Sequence, residues 1–448
     1  MEIQIYIYWS YVATLLWIFS HVFKRRFPEI PCGLWLLCVP LLAYGWLSAL
    51  NAPYVFDRSH AVLVPLSHTI PWLPGAWDYF RSVAWMERCT ALFLILLMLA
   101  DAFRHDIWRT RFFASCALAG GSVAVFGLLQ RALHAPSIFW IHEDMSYNFF
   151  ATYRYHGNAG AFLNLAWPVL GYFFILGLHE NARLRIIPLL SAFGMLACLL
   201  GLCVNFSRAA AGIGLFLFAV WILVQSKTLL PACGKCFPRA WAGLLAGALV
   251  FALLFIALLP PNSGLLFQHW IGGPGSPFLI DPKRIAVYKV CWTMFLEHPW
   301  TGFGPGCFQT AFPAFTWDSG ALTAGVWRHA HQDYLQTLVE WGLPAGLLWL
   351  GLFAGALSRG FRQLKNAAVD FKQRQMIQGC LFSLAGILLH ATVDFPLQIV
   401  SLQVYAVVFL GILWANGCRT PFRSCPRLNN NNDTDPFPCG PVAADNSI

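Results

Sequence analysis

The sequence predicts an all-α polytopic membrane protein, and three observations carry that expectation. Only 11% of the 448 residues are charged while 58% are hydrophobic. Apolar stretches of about 20 residues, the length needed to cross a bilayer, recur along the chain. Lysine and arginine gather in alternate connecting segments, as expected where short basic loops stay on the cytoplasmic side.

Eleven spans are expected, near 4–23, 31–50, 84–103, 112–130, 159–178, 186–206, 209–226, 241–259, 335–357, 376–393 and 399–416. One large outside loop, 260–334, separates the eighth from the ninth. With the loop after the first span inside, inside segments hold 19 of the 29 basic residues, from Lys24-Arg25-Arg26 to Arg427. The N-terminus is then outside and the C-terminus inside. Residues 1–416 form the transmembrane domain with its external loop. Residues 417–448, Pro-rich and then running through Asn429 to Asn432, read as a disordered cytoplasmic tail. Asp433-Thr434-Asp435 imitates a metal-holding D-x-D, but in such a tail it reads as coincidence. Pro65, Pro71 and Pro74 argue against a regular span over 61–80, which is taken as an outside loop with a re-entrant piece as the alternative.

Composition excludes some functions. The net charge of +9 is scattered over cytoplasmic segments without a concentrated patch, so nucleic acid is not an expected partner. Most cysteines fall inside spans, where they act as small apolar residues. Cys233 and Cys236 make one C-x-x-C without a second pair, so no metal and no cofactor are expected.

Five polar segments lie at outer span ends or in the external loop, and ionisable side chains at a membrane boundary mark cavities, partners or ligands. In Arg154-Tyr155-His156-Gly157-Asn158 a packing role and a binding role stand equally. In Asn205-Phe206-Ser207-Arg208-Ala209, one span ends and the next begins after almost no loop. Ser207 is an N-cap, which puts Arg208 in the first helical turn. A cation there opposes the helix dipole unless an anion sits between them, and an anion gains from both the helix terminus and the guanidinium fork. The plain alternative is an arginine snorkelling into head groups. Lys283-Arg284, with Lys289, lies on an amphipathic stretch to Glu297 whose spacing favours an interfacial helix. The Pro299-Trp300-Thr301-Gly302-Phe303-Gly304-Pro305-Gly306 cluster reads as a chain reversal, since no strand precedes it as a phosphate loop requires.

The densest polar run is Trp327-Arg328-His329-Ala330-His331-Gln332-Asp333-Tyr334-Leu335-Gln336. A helix starting near Ala330 would put His331, Tyr334 and Leu335 on one face, with Asp333, Gln336 and Glu340 nearly opposite, bracing a packing partner. A neutral histidine at a wet boundary accepts a proton from a hydroxyl near pH 7, though a lone histidine is more often merely hydrogen-bonded. The fifth segment, His390-Ala391-Thr392-Val393-Asp394-Phe395-Pro396-Leu397, closes the tenth span.

Together the Ser207-Arg208 turn, the Glu297 to Gly306 reversal, His331 to Gln336 leading into Glu340-Trp341-Gly342-Leu343-Pro344, and His390 to Leu397 resemble the O-antigen ligase and polymerase superfamily, over roughly Tyr155 to Trp414. Gln332 stands where the family often has Asn. The resemblance implies a GT-C-like, inverting, metal-independent glycosyltransferase in the bacterial inner membrane. It would move a glycan from undecaprenyl diphosphate to an acceptor hydroxyl on the periplasmic face, with lipid A-core as the ligase acceptor and a growing glycan as the polymerase alternative. By similarity His331 would activate the acceptor and Arg208 and Arg284 would hold the diphosphate. Ser207, Arg328, His329, Tyr334, Asp394, Arg154 and His156 would support them, and a lateral groove would take the polyprenyl chain. The rival from another class is a transporter or flippase for a lipid-linked solute, which would be expected to show repeats and midplane polar residues; a third reading is an envelope scaffold.

Overall fold

A computed structural model describes residues 2–57, 59–60, 62–67, 69–141, 149–179, 186–234, 281–317 and 320–415. The span expected at 241–259, the start of the external loop, Cys236 and the tail from 416 lie outside the described residues. The helices are α1 (Glu2–Phe23), α2 (Cys32–Leu50), α3 (Tyr79–Ala102), α4 (Asp106–Ala132), α5 (His156–His179), α6 (Ile186–Val204), α7 (Arg208–Gly234), α8 (Pro282–Glu297), α9 (Asp333–Lys365), α10 (Phe371–His390) and α11 (Val400–Ala415). Eight of them, α1 to α7 and α9, are long and apolar enough to cross a membrane, as a multi-pass membrane protein requires. Among the described residues one pair of strands accompanies the helices. Strands β1 (Tyr54–Asp57) and β2 (Val62–Pro65) pair antiparallel, Tyr54 opposite Pro65, where an irregular outside loop was expected.

Helix α5 is the centre, with its residues from Gly157 through Tyr172 all buried, and it packs on α4, α6, α7 and α10. Small residues allow the close approach, because a Cβ on Gly160 would lie 2.3 Å from that of Ala210 in α7. Polar side chains fasten the same seams: Asn164 Nδ2 donates to Ala210 O at 2.9 Å and Ser383 Oγ to Leu165 O at 2.8 Å. Large apolar side chains instead face outward on α1, where Trp9, Leu15, Leu16 and Phe19 are exposed. That inversion is natural where the surrounding solvent is hydrocarbon.

A cap closes one end of the bundle. Val287, Val290, Cys291 and Met294, at helical spacing on α8, pack with Phe303, Phe308, Phe312 and Val339. The amphipathic stretch is thus fastened to a small core of its own. The glycine-rich reversal does more than turn the chain. Helix α9 breaks at Gly342 (φ 67°), just before Pro344, which lacks an N–H. Phe303 N and Gly304 N donate to the carbonyls of Val339 and Glu340 at 2.9 Å each, and Leu343 N donates to Pro299 O at 2.8 Å. Glu340 in turn accepts from Gly306 N at 3.1 Å and Phe308 N at 3.3 Å. A buried backbone group without a partner costs about 1–3 kcal/mol, so these bonds fix the outer piece of α9 and everything just before it. Gly302 (φ 63°) cannot be replaced freely, because its Cβ would meet Glu340 O at 2.5 Å.

Candidate functional site

Helix α10 ends at His390 and the chain turns tightly, Asp394 N donating to His390 O at 3.0 Å. This places the buried Asp394 carboxylate under three donors. His331 Nδ1 approaches Oδ1 at 3.0 Å, Tyr155 OH donates to Oδ2 at 2.8 Å, and Phe395 N donates to Oδ1 at 3.1 Å. His390 Nε2 stands 3.9 Å from Oδ2. Burial by itself would raise the Asp394 carboxyl, but the His331 hydrogen bond and the charges of His390, His331 and Arg284 outweigh it and hold it at about 2. An ionised carboxylate only accepts, so Nδ1 of His331 is the nitrogen that donates to it, and in the neutral form of the ring the lone pair is on Nε2.

His331 is positioned from outside the helix. Helix α9 starts at Asp333 with Gln332 as its cap, not near Ala330, and His331 precedes it in a left-handed conformation (φ 54°). Its carbonyl accepts from Tyr288 OH of α8 at 2.7 Å, and the next N–H but one, that of Asp333, donates to Ala391 O at 2.9 Å. The cap and the end of α10 therefore grip it from both sides. His331 and Tyr334 consequently do not share a helical face. Tyr334 OH donates to Leu388 O at 2.7 Å, away from Asp394. Asp333 braces the next loop, accepting from Leu397 N at 2.8 Å and Gln398 Nε2 at 2.9 Å.

Arg284 points inward from the first turn of α8 rather than into head groups. It donates to Val393 O at 2.7 Å and to Tyr155 OH at 3.2 Å. Burial disfavours its charge, but Tyr155, Asp394 and Tyr288 overcompensate and its proton is held more tightly than usual. Burial, then Asp394, pushes the Tyr155 phenol well up, so Tyr155 is neutral and relays a hydrogen bond from Arg284 to Asp394. Gly157 makes room for this, since a Cβ there would come within 2.3 Å of Asp394 Oδ2. Phe395 packs the rings together: it stacks on Tyr155 at 5.4 Å and on His329 at 4.4 Å, and meets His331 edge-on at 4.8 Å.

The α6–α7 turn joins through the start of α5. Asn205 Nδ2 donates to His156 O at 2.9 Å, the His156 ring lies 4.7 Å from that of Tyr155, and Ser207 Oγ caps Ala210 N at 3.3 Å. Arg208 accordingly begins α7, as the sequence predicts, two residues from the seam with α5. Arg131, at the end of α4, lies over the Phe206 ring at 5.0 Å and adds a cation the sequence reading missed. Arg154 and Arg328 are exposed. Tyr155, Tyr288 and Phe395 were also missed. Tyr155 and Phe395 carried a local signal, each lying beside a candidate residue within a polar segment already singled out.

An apolar groove of about 370 Å³ runs between α3, α9 and α11, lined by Leu92, Phe93, Leu96, Leu347 and Phe353 among others. It reaches Trp85 and Glu340 rather than the Arg208 turn.

A cation–imidazole–carboxylate centre at one end of a multi-span helical bundle is the arrangement the fold presents, in a protein with the helices of a multi-pass membrane protein. Residues 193–350 match the family model described as O-antigen ligase, and the match supports membership of the O-antigen ligase superfamily. The matched stretch contains Ser207, Arg208, Arg284 and His331, whereas Tyr155 and Asp394, which hold two of them, fall outside it. No curated protein matches the chain.

Proposed function

We propose that this protein is a metal-independent, inverting glycosyltransferase of the O-antigen ligase type, acting at the periplasmic face of the bacterial inner membrane on an undecaprenyl-diphosphate-linked glycan, with lipid A-core as acceptor. The observation that carries the reading is the hydrogen-bonded Arg284–Tyr155–Asp394–His331 chain. It joins a permanent cation to an imidazole whose tautomer is fixed. Ionised Asp394 favours the imidazolium that forms when His331 Nε2 takes the acceptor hydroxyl's proton. The acceptor oxygen then bonds to the anomeric carbon as the bond from that carbon to the phosphate oxygen breaks. The electron pair leaves with the diphosphate, whose growing charge Arg208 and Arg284 neutralise in place of a metal.

The test is transfer by the purified full chain, given a lipid-linked glycan, competing lipid A-core and glycan acceptors, and EDTA. A product whose mass is that of glycan plus lipid A-core, formed at an undiminished rate with chelator, is expected. Transfer only to another glycan would make it a polymerase of the same superfamily. Absence of transfer from any diphosphate-linked donor would remove the reading.

A further inference from the structure

Among the described residues, the buried cation Arg88 has no part in the mechanism above. Arg88 sits nine residues into α3, about 14 Å along its axis. It is 8% exposed, its guanidinium lies 3.7 Å over the Trp85 ring, and its Nε and one terminal nitrogen have no hydrogen-bond partner. An intramembrane charge in that condition is expensive and marks a ligand site.

Arg88 lines a cavity of about 630 Å³, within the range of roughly 300–1,000 Å³ typical of small-molecule sites, together with Arg81, Arg328 and His329. Two acids also face it, and both are already engaged. Asp78 accepts from Thr310 Oγ1 at 3.1 Å and Arg81 Nε at 3.4 Å; Glu340 accepts from Gly306 N, Phe308 N and, at 3.1 Å, Gln336 Nε2. Arg81 also donates to Gln309 at 2.9 Å. His329 presents a buried Nδ1 without a partner. Burial first, then the charges of His331 and Arg88, lower its pKa to about 4, so it is neutral and free to share a hydrogen bond.

Two features set the kind of ligand. Trp85 and Glu340 line both this cavity and the apolar groove, so a molecule filling both has an anionic head and apolar chains. Phe395 touches both His329, at 4.4 Å, and His331, at 4.8 Å, so the cavity adjoins the imidazole on the His329 side, whereas Arg284 reaches the same centre through Tyr155 and Asp394.

We propose that the cavity lined by Arg81, Arg88, Arg328 and His329 binds the phosphate of a phosphorylated lipid whose chains occupy the adjoining groove, and that this lipid is the acceptor substrate. The acceptor role rests on the transferase reading; the binding site does not. Donor and acceptor thereby have separate cationic compartments on either side of His331.

The experiment measures binding of dioleoyl phosphatidic acid to the full chain in neutral detergent by native mass spectrometry, with dioleoylglycerol and inorganic phosphate as comparison probes. Phosphatidic acid should bind saturably and roughly tenfold or more tightly than either comparison probe. Arg88→Gln and exposed Arg328→Gln should each weaken it roughly tenfold, Arg88→Lys less, and Arg208→Gln not at all. In transfer assays Arg328→Gln should raise KM for a phosphorylated acceptor and leave donor KM unchanged. Unaltered binding in both Arg88→Gln and Arg328→Gln overturns the proposal. So does equal binding of dioleoylglycerol or of inorganic phosphate, or loss of binding in Arg208→Gln alone, which would make the cavity part of the donor site. A wild-type chain that binds phosphatidic acid as expected but transfers nothing removes the transferase reading and leaves the site standing.

Discussion

The two ends of the helical bundle both carry ionisable side chains and use them differently. At one end, acids and bases pair off: Arg104 with Glu29, Arg109 with Asp106, His21 with Asp101 at 3.1 Å. Two of the acids are largely open to solvent, Glu29 at 63% and Asp106 at 72%. Such pairs anchor helix ends and contribute about 0–1 kcal/mol each. At the capped end Asp394 is buried, accepts from several donors at once, and is outnumbered nearby by arginines and histidines. An excess of fixed positive charge around few carboxylates gives that end a positive potential that attracts an anionic ligand. Function is therefore expected at the end where charges fail to balance.

The sharpest way to break this contrast is at the imidazole. His331→Ala should lower transfer about 10²–10⁴-fold while leaving carrier binding and insertion intact, read by single-turnover transfer beside a binding assay. Normal transfer would take His331 out of the mechanism. Arg208→Lys comes next, with a loss of roughly 100-fold in transfer, because an ammonium cannot grip two phosphate oxygens in the guanidinium's fork. Gly157→Ala tests the geometry without altering any charge. Its Cβ would fall 2.3 Å from Asp394 Oδ2, and the displacement should cost about tenfold to 100-fold in rate at nearly unchanged donor affinity.

A smaller effect concerns stability against pH. His329 takes its proton at about 4 in the folded chain against 6.5 when unfolded. The stability it confers is full above 6.5 and is lost as pH falls from 6.5 towards 4, because the unfolded state binds the proton first. Thermal midpoints in detergent should drop between pH 7 and 5, and His329→Gln should flatten that slope. Asp394 acts in a separate window, its contribution present above 3.8 and lost as pH falls towards 2. The smallest effect is expected at the other end of the bundle, where Glu29→Gln should change stability by at most about 1 kcal/mol and leave transfer untouched.

What the sequence determined by itself was everything set by one-dimensional pattern. Among the described residues apolar length located the eight helices long enough to cross a membrane, and the Ser207 cap placed Arg208 in the first turn of α7, since both are set by residues close in sequence. The polar segments at span ends announced where chemistry was to be sought. The helix start before His331 was misjudged, because Tyr288 and Ala391, 43 and 60 residues away, hold that backbone outside the helix. Tertiary structure alone decided that Asp394 meets His331, that Arg284 turns inward to Tyr155, and that Arg88 lines a cavity. A hydrogen bond between residues separated by 63 or 129 positions leaves no periodic trace in the chain, and only packing α5, α8 and α10 around one carboxylate creates it.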